Sequence, residues 1–276
     1  MLIKQLLTAL TAITIWLVTT GAALAQFDHS HAQWTTLLKK HTVVIDGGKA
    51  SQMRYAGMAA DHAGLKTYLD TLAKVSEADF KGWNKNQQLA FLLNAYNANM
   101  VEKILLRYPN IKSVWDYGKL FGNPFKDNFI NLFGRKMTLD NIEHDTIRAP
   151  GAHDDPRIHF AVNCASIGCP MLREEAYIGD RIDRQLEEQT VRFLSDRSRN
   201  RMSADGKLEV SKIFDTSPWY GGDFRKGHKG FATLEGFFAK YANLLTDNAE
   251  QQKIIRDGKA EFKHLDYDWG LNDARR

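Results

Sequence analysis

Between Gln87 and Tyr108, apolar residues stand at positions 89, 92, 93, 96, 100, 101, 104 and 105 before Pro109 stops the run. Spacing of three and four residues, sustained over about six turns, belongs to an α-helix with one face in a core. No other stretch is as regular, so the fold has to be assembled against this helix.

Shorter elements surround it. Asp28 to Lys40, Leu65 to Val75, Leu139 to Ile147, Arg181 to Ser195 and Thr233 to Leu245 read as helices. The third of these is opened by Asp140 with Glu143 three residues later, the pattern of a capping box. Thr42 to Ile45, Arg157 to Asn163 and Lys207 to Val210 read as strands, Gly134 to Met137 as a short strand or turn, and Asp46-Gly47-Gly48 as a turn. Residues 111–133 are aromatic and broken by Phe121-Gly122-Asn123-Pro124-Phe125, which predicts a long structured loop. Helices and strands mix without a βαβ rhythm, so the expected fold class is α+β, one mixed domain. An apolar share of 43% with six tryptophans is enough for one substantial core.

Residues 1–25 read as a signal peptide. Lys4 precedes an apolar stretch from Leu6 to Leu24 that closes on Ala23-Leu24-Ala25, the small-x-small pattern of a signal-peptidase site. The expectation is cleavage before Gln26, a globular domain over 26–276, and a periplasmic or secreted location. Contact with a membrane is expected only through an uncleaved leader. The whole chain carries 37 Lys and Arg against 33 Asp and Glu, and loss of the leader lowers the formal charge of +4 by only one. Basic and acidic residues are interspersed, which argues against a nucleic-acid partner.

Chemistry concentrates between Asn163 and Arg173, where the chain's two cysteines, Cys164 and Cys169, flank Gly168 just after an apolar run. A thiol at a turn is a natural place for a nucleophile, which then needs an imidazole base and a group to orient it. Cys164 with His144 or His159, and Glu143, Asn163 or Asp155, supplies these types. If Arg157 to Asn163 is a strand, His159 shares a face with Asn163 and is turned from Cys164, so His144 is the preferred base and Glu143 its partner.

The segments Asp155 to Pro170, Asn94-Ala95-Tyr96-Asn97 and Ile142-Glu143-His144 resemble the bacterial, exported branch of the domain of unknown function 547 family. Ile213-Phe214, Trp219-Tyr220, Asp223-Phe224 and Tyr267-Asp268-Trp269-Gly270-Leu271-Asn272 extend the resemblance, which implies a family core over about 85–195. The family is defined by sequence rather than by an agreed reaction. The order His then Cys is that of circularly permuted papain-like proteins, an analogy at the level of fold alone.

The expected function is thus a thiol-dependent hydrolase or acyl transferase acting on an amide or thioester, with a small molecule or peptide as partner. Asn94, Asn97, Arg157, His159 and Asn163 are the candidate binding residues. Asn94 and Asn97 either hold loops such as 111–133 or face substrate, and Arg157 either pairs with Glu143 or Asp155 or captures a carboxylate. The alternative is a non-enzymatic periplasmic binding or scaffold protein with a Cys164–Cys169 disulfide, an even cysteine count suiting an oxidising compartment. No zinc-site spacing joins the cysteines to the nine histidines, and no metal or other cofactor is expected.

Overall fold

The structure is a computed structural model that describes residues 26–118 and 122–275. The leader and its cleavage site lie outside the described residues. The fold is a single mixed α+β domain, and the helix expected at 87–108 is its axis: α5 spans Lys85–Leu105. Asn84 caps it, the Asn84 carboxamide oxygen accepting from Gln87 N–H at 2.9 Å while the Gln87 side chain accepts from Asn84 N–H at 3.2 Å. One buried face was expected, yet every residue from Gln88 to Ile104 is buried. Asn94, Asn97, Asn99, Glu102 and Lys103 are therefore interior, and each has a partner.

The coat around α5 begins with α1 (Ala32–His41), the hairpin β1 (Thr42–Ile45) and β2 (Ala50–Met53), α2 (Tyr55–Ala60), α3 (His62–Ala73) and α4 (Glu77–Gly82). A second hairpin, β3 (Ile130–Leu132) with β4 (Arg135–Met137), lies inside the segment expected to be all loop, and residues 119–121 of that segment are not among those described. α6 (Ile182–Ser195) closes this larger core.

A smaller, phenylalanine-rich core gathers Phe160, Phe193, Phe214, Phe224, Phe237 and Phe238. It is covered by β5 (Arg201–Met202), β6 (Leu208–Val210), α7 (Leu234–Lys240), α8 (Ala242–Leu245), α9 (Ala249–Arg256) and β7 (Phe262–His264). β5 pairs antiparallel and β7 parallel with the central β6.

Two expectations change. Arg157 to Asn163 is not a strand: Pro156–Phe160 form a 3-10 turn whose first free N–H, that of Arg157, is capped by Asp155 at 3.0 Å. An N-cap Asp followed by Pro at the first helical position favours such a start over a strand, whatever the apolar residues that follow. The face argument that turned His159 away from Cys164 falls with the strand. The helix expected at 139–147 is a π-helix over Asn141–Ile147, and its start is tied by Thr138 and Asn141, whose side chains each accept from the other's N–H, rather than by Asp140.

Candidate active site

Cys164 lies on the seam of the two cores, packed against the larger one, while Tyr220 and Tyr267 pack against the smaller. Its loop is held from the inside by asparagines. The Asn97 side chain donates to Ala161 O (2.9 Å) and accepts from Asn163 N–H (2.9 Å). Asn163 in turn accepts from Ala165 N–H (2.9 Å) and donates to Pro170 O (2.8 Å). Asn94 makes the same two-sided clamp on Tyr177. Both amides thus hold loops, although not the loop 111–133 named for them.

From the outside the loop is laced by the segment that follows β7. Ile167 N–H donates to Gly270 O and Gly168 N–H to Asp268 O, each at 2.8 Å, and Asn272 N–H donates to Ala165 O at 3.1 Å. Gly168 allows this close approach, because a β-carbon would crowd the Asp268 backbone at 3.0 Å. Ala165, next to the thiol, sits in the left-handed region at φ 62°, a strained conformation for a residue with a side chain.

The lacing brings in groups absent from the expected site. Cys164 Sγ lies 3.1 Å from Ser166 Oγ and 3.1 Å from Tyr267 OH, and those two oxygens are 3.0 Å apart. Cys164 N–H donates to Cys169 Sγ at 2.9 Å, and both cysteines are free thiols. Burial pushes the Cys164 thiol up, but hydrogen bonds from Cys169, Ser166 and Tyr267 to the thiolate outweigh it and bring the pKa to about 7. Cys169 moves the other way, well above its ordinary value, through burial and the neighbouring Cys164 charge.

Among the described residues no imidazole is hydrogen-bonded to Cys164 Sγ. His144 Nδ1 accepts from Arg148 Nη1 at 2.6 Å, leaving its other nitrogen 3.9 Å from Asp140, so the free lone pair a base needs is already taken. His159 is placed differently. It is fully buried, its Nε2 donates to Asp223 Oδ2 at 2.8 Å, its ring stacks on Tyr220 with centroids 4.1 Å apart, and its Nδ1 has no partner. Glu143 Oε1, 3.9 Å from that Nδ1, is equally buried and unpartnered. Burial lowers the His159 pKa against the pull of Asp223, which favours a neutral ring with its lone pair on Nδ1.

Asp223 is held well below the usual carboxylate range: burial alone would raise it, but bonds from His159, Arg148 (2.8 Å) and Lys226 (2.6 Å) prevail. Tyr220 links the two halves of the site, its hydroxyl kept protonated by burial and then by the Glu143 and Cys164 charges within electrostatic reach. Arg157 lies apart from this group, its guanidinium spent on Asp155, Asp183 and Glu187.

Residues 80–194 match the family model for Protein of unknown function, DUF547. The DUF547 segment carries α5, the 156–160 turn, the cysteine loop and nearly all of α6, and it stops short of Tyr220, Asp223 and Tyr267. No curated protein and no solved structure matches the chain.

No group of three or more His, Cys, Asp or Glu side chains that could hold a metal ion occurs among the described residues. A cleft of about 870 Å³ opens elsewhere, beside Arg54, Tyr108, Lys112 and Asp273, and none of Cys164, Glu143 or His159 lines it.

Of the residues expected at the site, the structure brings Asn97 and Asn163 to the Cys164 loop and sets Glu143 near His159, while Ser166, Tyr267, Tyr220 and Asp223, which neighbour them, were not expected there. Tyr220, Asp223 and Tyr267 stood in segments that carry the family resemblance, which was the signal available.

Proposed function

We propose that the protein transfers or hydrolyses acyl groups through Cys164, with a thioester of a small molecule or peptide as the favoured substrate. The observation that carries this is the Cys164 sulfur, on a partly buried residue and supported by Cys169 and by Ser166 and Tyr267 at 3.1 Å each, so that a thiolate is available near pH 7 without a base in contact.

Attack of that thiolate on a thioester carbonyl carbon forms one S–C bond and breaks another. The departing thiolate needs no proton, which suits a sulfur with no imidazole at its side. Tyr267 OH, 3.1 Å from the sulfur, would follow the charge onto the carbonyl oxygen. An amide would need a group to protonate the leaving amine. His159, oriented by Asp223 and with an unpartnered Nδ1, would first take the Cys164 thiol proton at Nδ1 as base and then return it to the leaving amine, in place of His144.

We also propose export through the leader, with the mature chain starting at Gln26 in the periplasm or outside the cell. The Ala23-Leu24-Ala25 pattern supports it, and Phe27, stacked on Trp83 at 5.3 Å, anchors the chain just past that point.

The test is incubation of reduced protein with an acetyl thioester and with the matching acetyl amide. A burst of released thiol with an acetylated Cys164 peptide, lost in Cys164→Ser, is expected from the thioester. No acylation of Cys164 by either compound would leave the non-enzymatic binding or scaffold reading in its place.

A further inference from the structure

Cys169 forms no bond to substrate in acyl transfer, yet its sulfur lies directly against Cys164. We propose that Cys164 and Cys169 form a reversible dithiol–disulfide couple that reacts with hydroperoxides, Cys164 attacking and Cys169 resolving. The inference does not rest on the acyl-transfer reading.

Three features of the turn carry it. Cys164 N–H donates to Cys169 Sγ at 2.9 Å, so the second sulfur already lies against the backbone of the first cysteine. The two residues differ in exposure, since Cys164 is partly exposed while Cys169 is 6% exposed, behind a turn whose tip, Ile167, is 44% exposed. The turn is braced from both sides, by Asn163 from within and by Asp268 and Gly270 from without, and the Arg199 guanidinium donates to Cys169 O. A sulfur of low pKa beside a resolving cysteine is the arrangement in which oxidation stops at a disulfide rather than climbing to sulfinic acid. The contrast in ionisation fits these roles: Cys164 is the sulfur that becomes a thiolate near neutral pH, while Cys169 keeps its proton.

The steps balance. The Cys164 thiolate attacks the outer oxygen of the hydroperoxide, an S–O bond forms, the O–O bond breaks, and the leaving alkoxide or hydroxide takes up a proton. Cys169 sulfur then attacks the sulfenic sulfur, an S–S bond forms, and the S–O bond breaks. The hydroxide that leaves takes the Cys169 proton and departs as water. The two sulfurs supply the two electrons that reduce the peroxide. A bridge at a partly exposed turn is within reach of a dithiol reductant. While the bridge is closed, Ser166 and Tyr267 have no thiolate to stabilise, so oxidation silences and protects the nucleophile together.

The experiment is intact-mass and peptide analysis of reduced full-length protein after one equivalent of hydrogen peroxide at neutral pH. The wild type should lose about 2 Da as Cys164 joins Cys169, and dithiothreitol should restore both thiols without unfolding. Cys169→Ser should stop at a sulfenic acid on Cys164 that dimedone traps, and Cys164→Ser should form neither product. Circular dichroism checks that both variants are folded. Oxidation of the wild type straight to sulfinic acid, equal peroxide reactivity in Cys164→Ser, or a bridge that dithiothreitol opens only after unfolding would each overturn the proposal. The acetyl thioester assay is read on separate reduced samples, so either idea can fail while the other stands.

Discussion

Replacing Tyr267 by Phe removes one oxygen and leaves the ring, whose tilted contacts with Trp219 and Trp269 do not involve the hydroxyl. What is lost is a hydrogen bond of 3.1 Å to Cys164 Sγ. A hydrogen bond to a charged group contributes about 1.5–3 kcal/mol, and each pKa unit corresponds to about 1.4 kcal/mol. The lower end applies, because Ser166 Oγ is freed from Tyr267 OH and turns wholly to the sulfur. The Cys164 pKa should therefore rise by about one unit from its value of about 7. At pH 6 the thiolate fraction falls from roughly one-tenth to roughly one-hundredth, so alkylation should slow about tenfold. At pH 9 the two proteins should label at similar rates. The assay is iodoacetamide labelling of the Cys164 peptide across pH by mass spectrometry. An unchanged pH profile in Tyr267→Phe would show that this hydroxyl does not stabilise the thiolate, and the basis for a nucleophile at Cys164 would go with it.

His159→Ala should abolish turnover of an acetyl amide while sparing acylation by the thioester, and His144→Ala should spare both. Steady-state rates on the two substrates check this, and the reverse pattern would restore His144 as base. Leu93→Ala, at a fully buried position on α5, should cost about 2–5 kcal/mol in urea unfolding, with α5 the most protected segment in hydrogen exchange. A cost below about 0.5 kcal/mol would misplace the core. Stability should also follow pH through two groups. Cys164 ionises near 7 in the folded state and near 9 unfolded, so its contribution grows between pH 7 and 9 and is absent below 7; Cys164→Ser should flatten that rise. His31, bonded to Tyr68 and lowered by burial to about 4, resists protonation when folded. Its contribution is full above about 6.5 and is lost as pH falls towards 4, a slope that His31→Gln should reduce.

The axis of the fold was legible because α5 repeats one face for six turns. Its complete burial was not, since Asn94, Asn97, Glu102 and Lys103 look like surface residues until their partners at Tyr177, Ala161, His62 and Asp127 are known. Residues 157–163 were misread by weighing the apolar run above the Asp155-Pro156 start signal. The short elements β2, α2, α4, α9 and β7 carry too few residues for a period to stand out. At the candidate site, the thiols and their turn were written locally in Cys164, Gly168 and Cys169. The donors that tune it were not, because the contact between Cys164 and Tyr267 spans 103 residues and leaves no trace in local spacing.

That separation has a consequence for the order in which the protein is made. As the chain emerges from the ribosome, Cys164 is exposed long before Tyr267 is synthesised. Until residues 267–272 dock across the turn, the thiol lacks the tyrosine donor and keeps more of the ionisation of an ordinary cysteine. The tyrosine's stabilisation of the Cys164 thiolate therefore depends on a segment made about a hundred residues later, and comes only once that segment is docked.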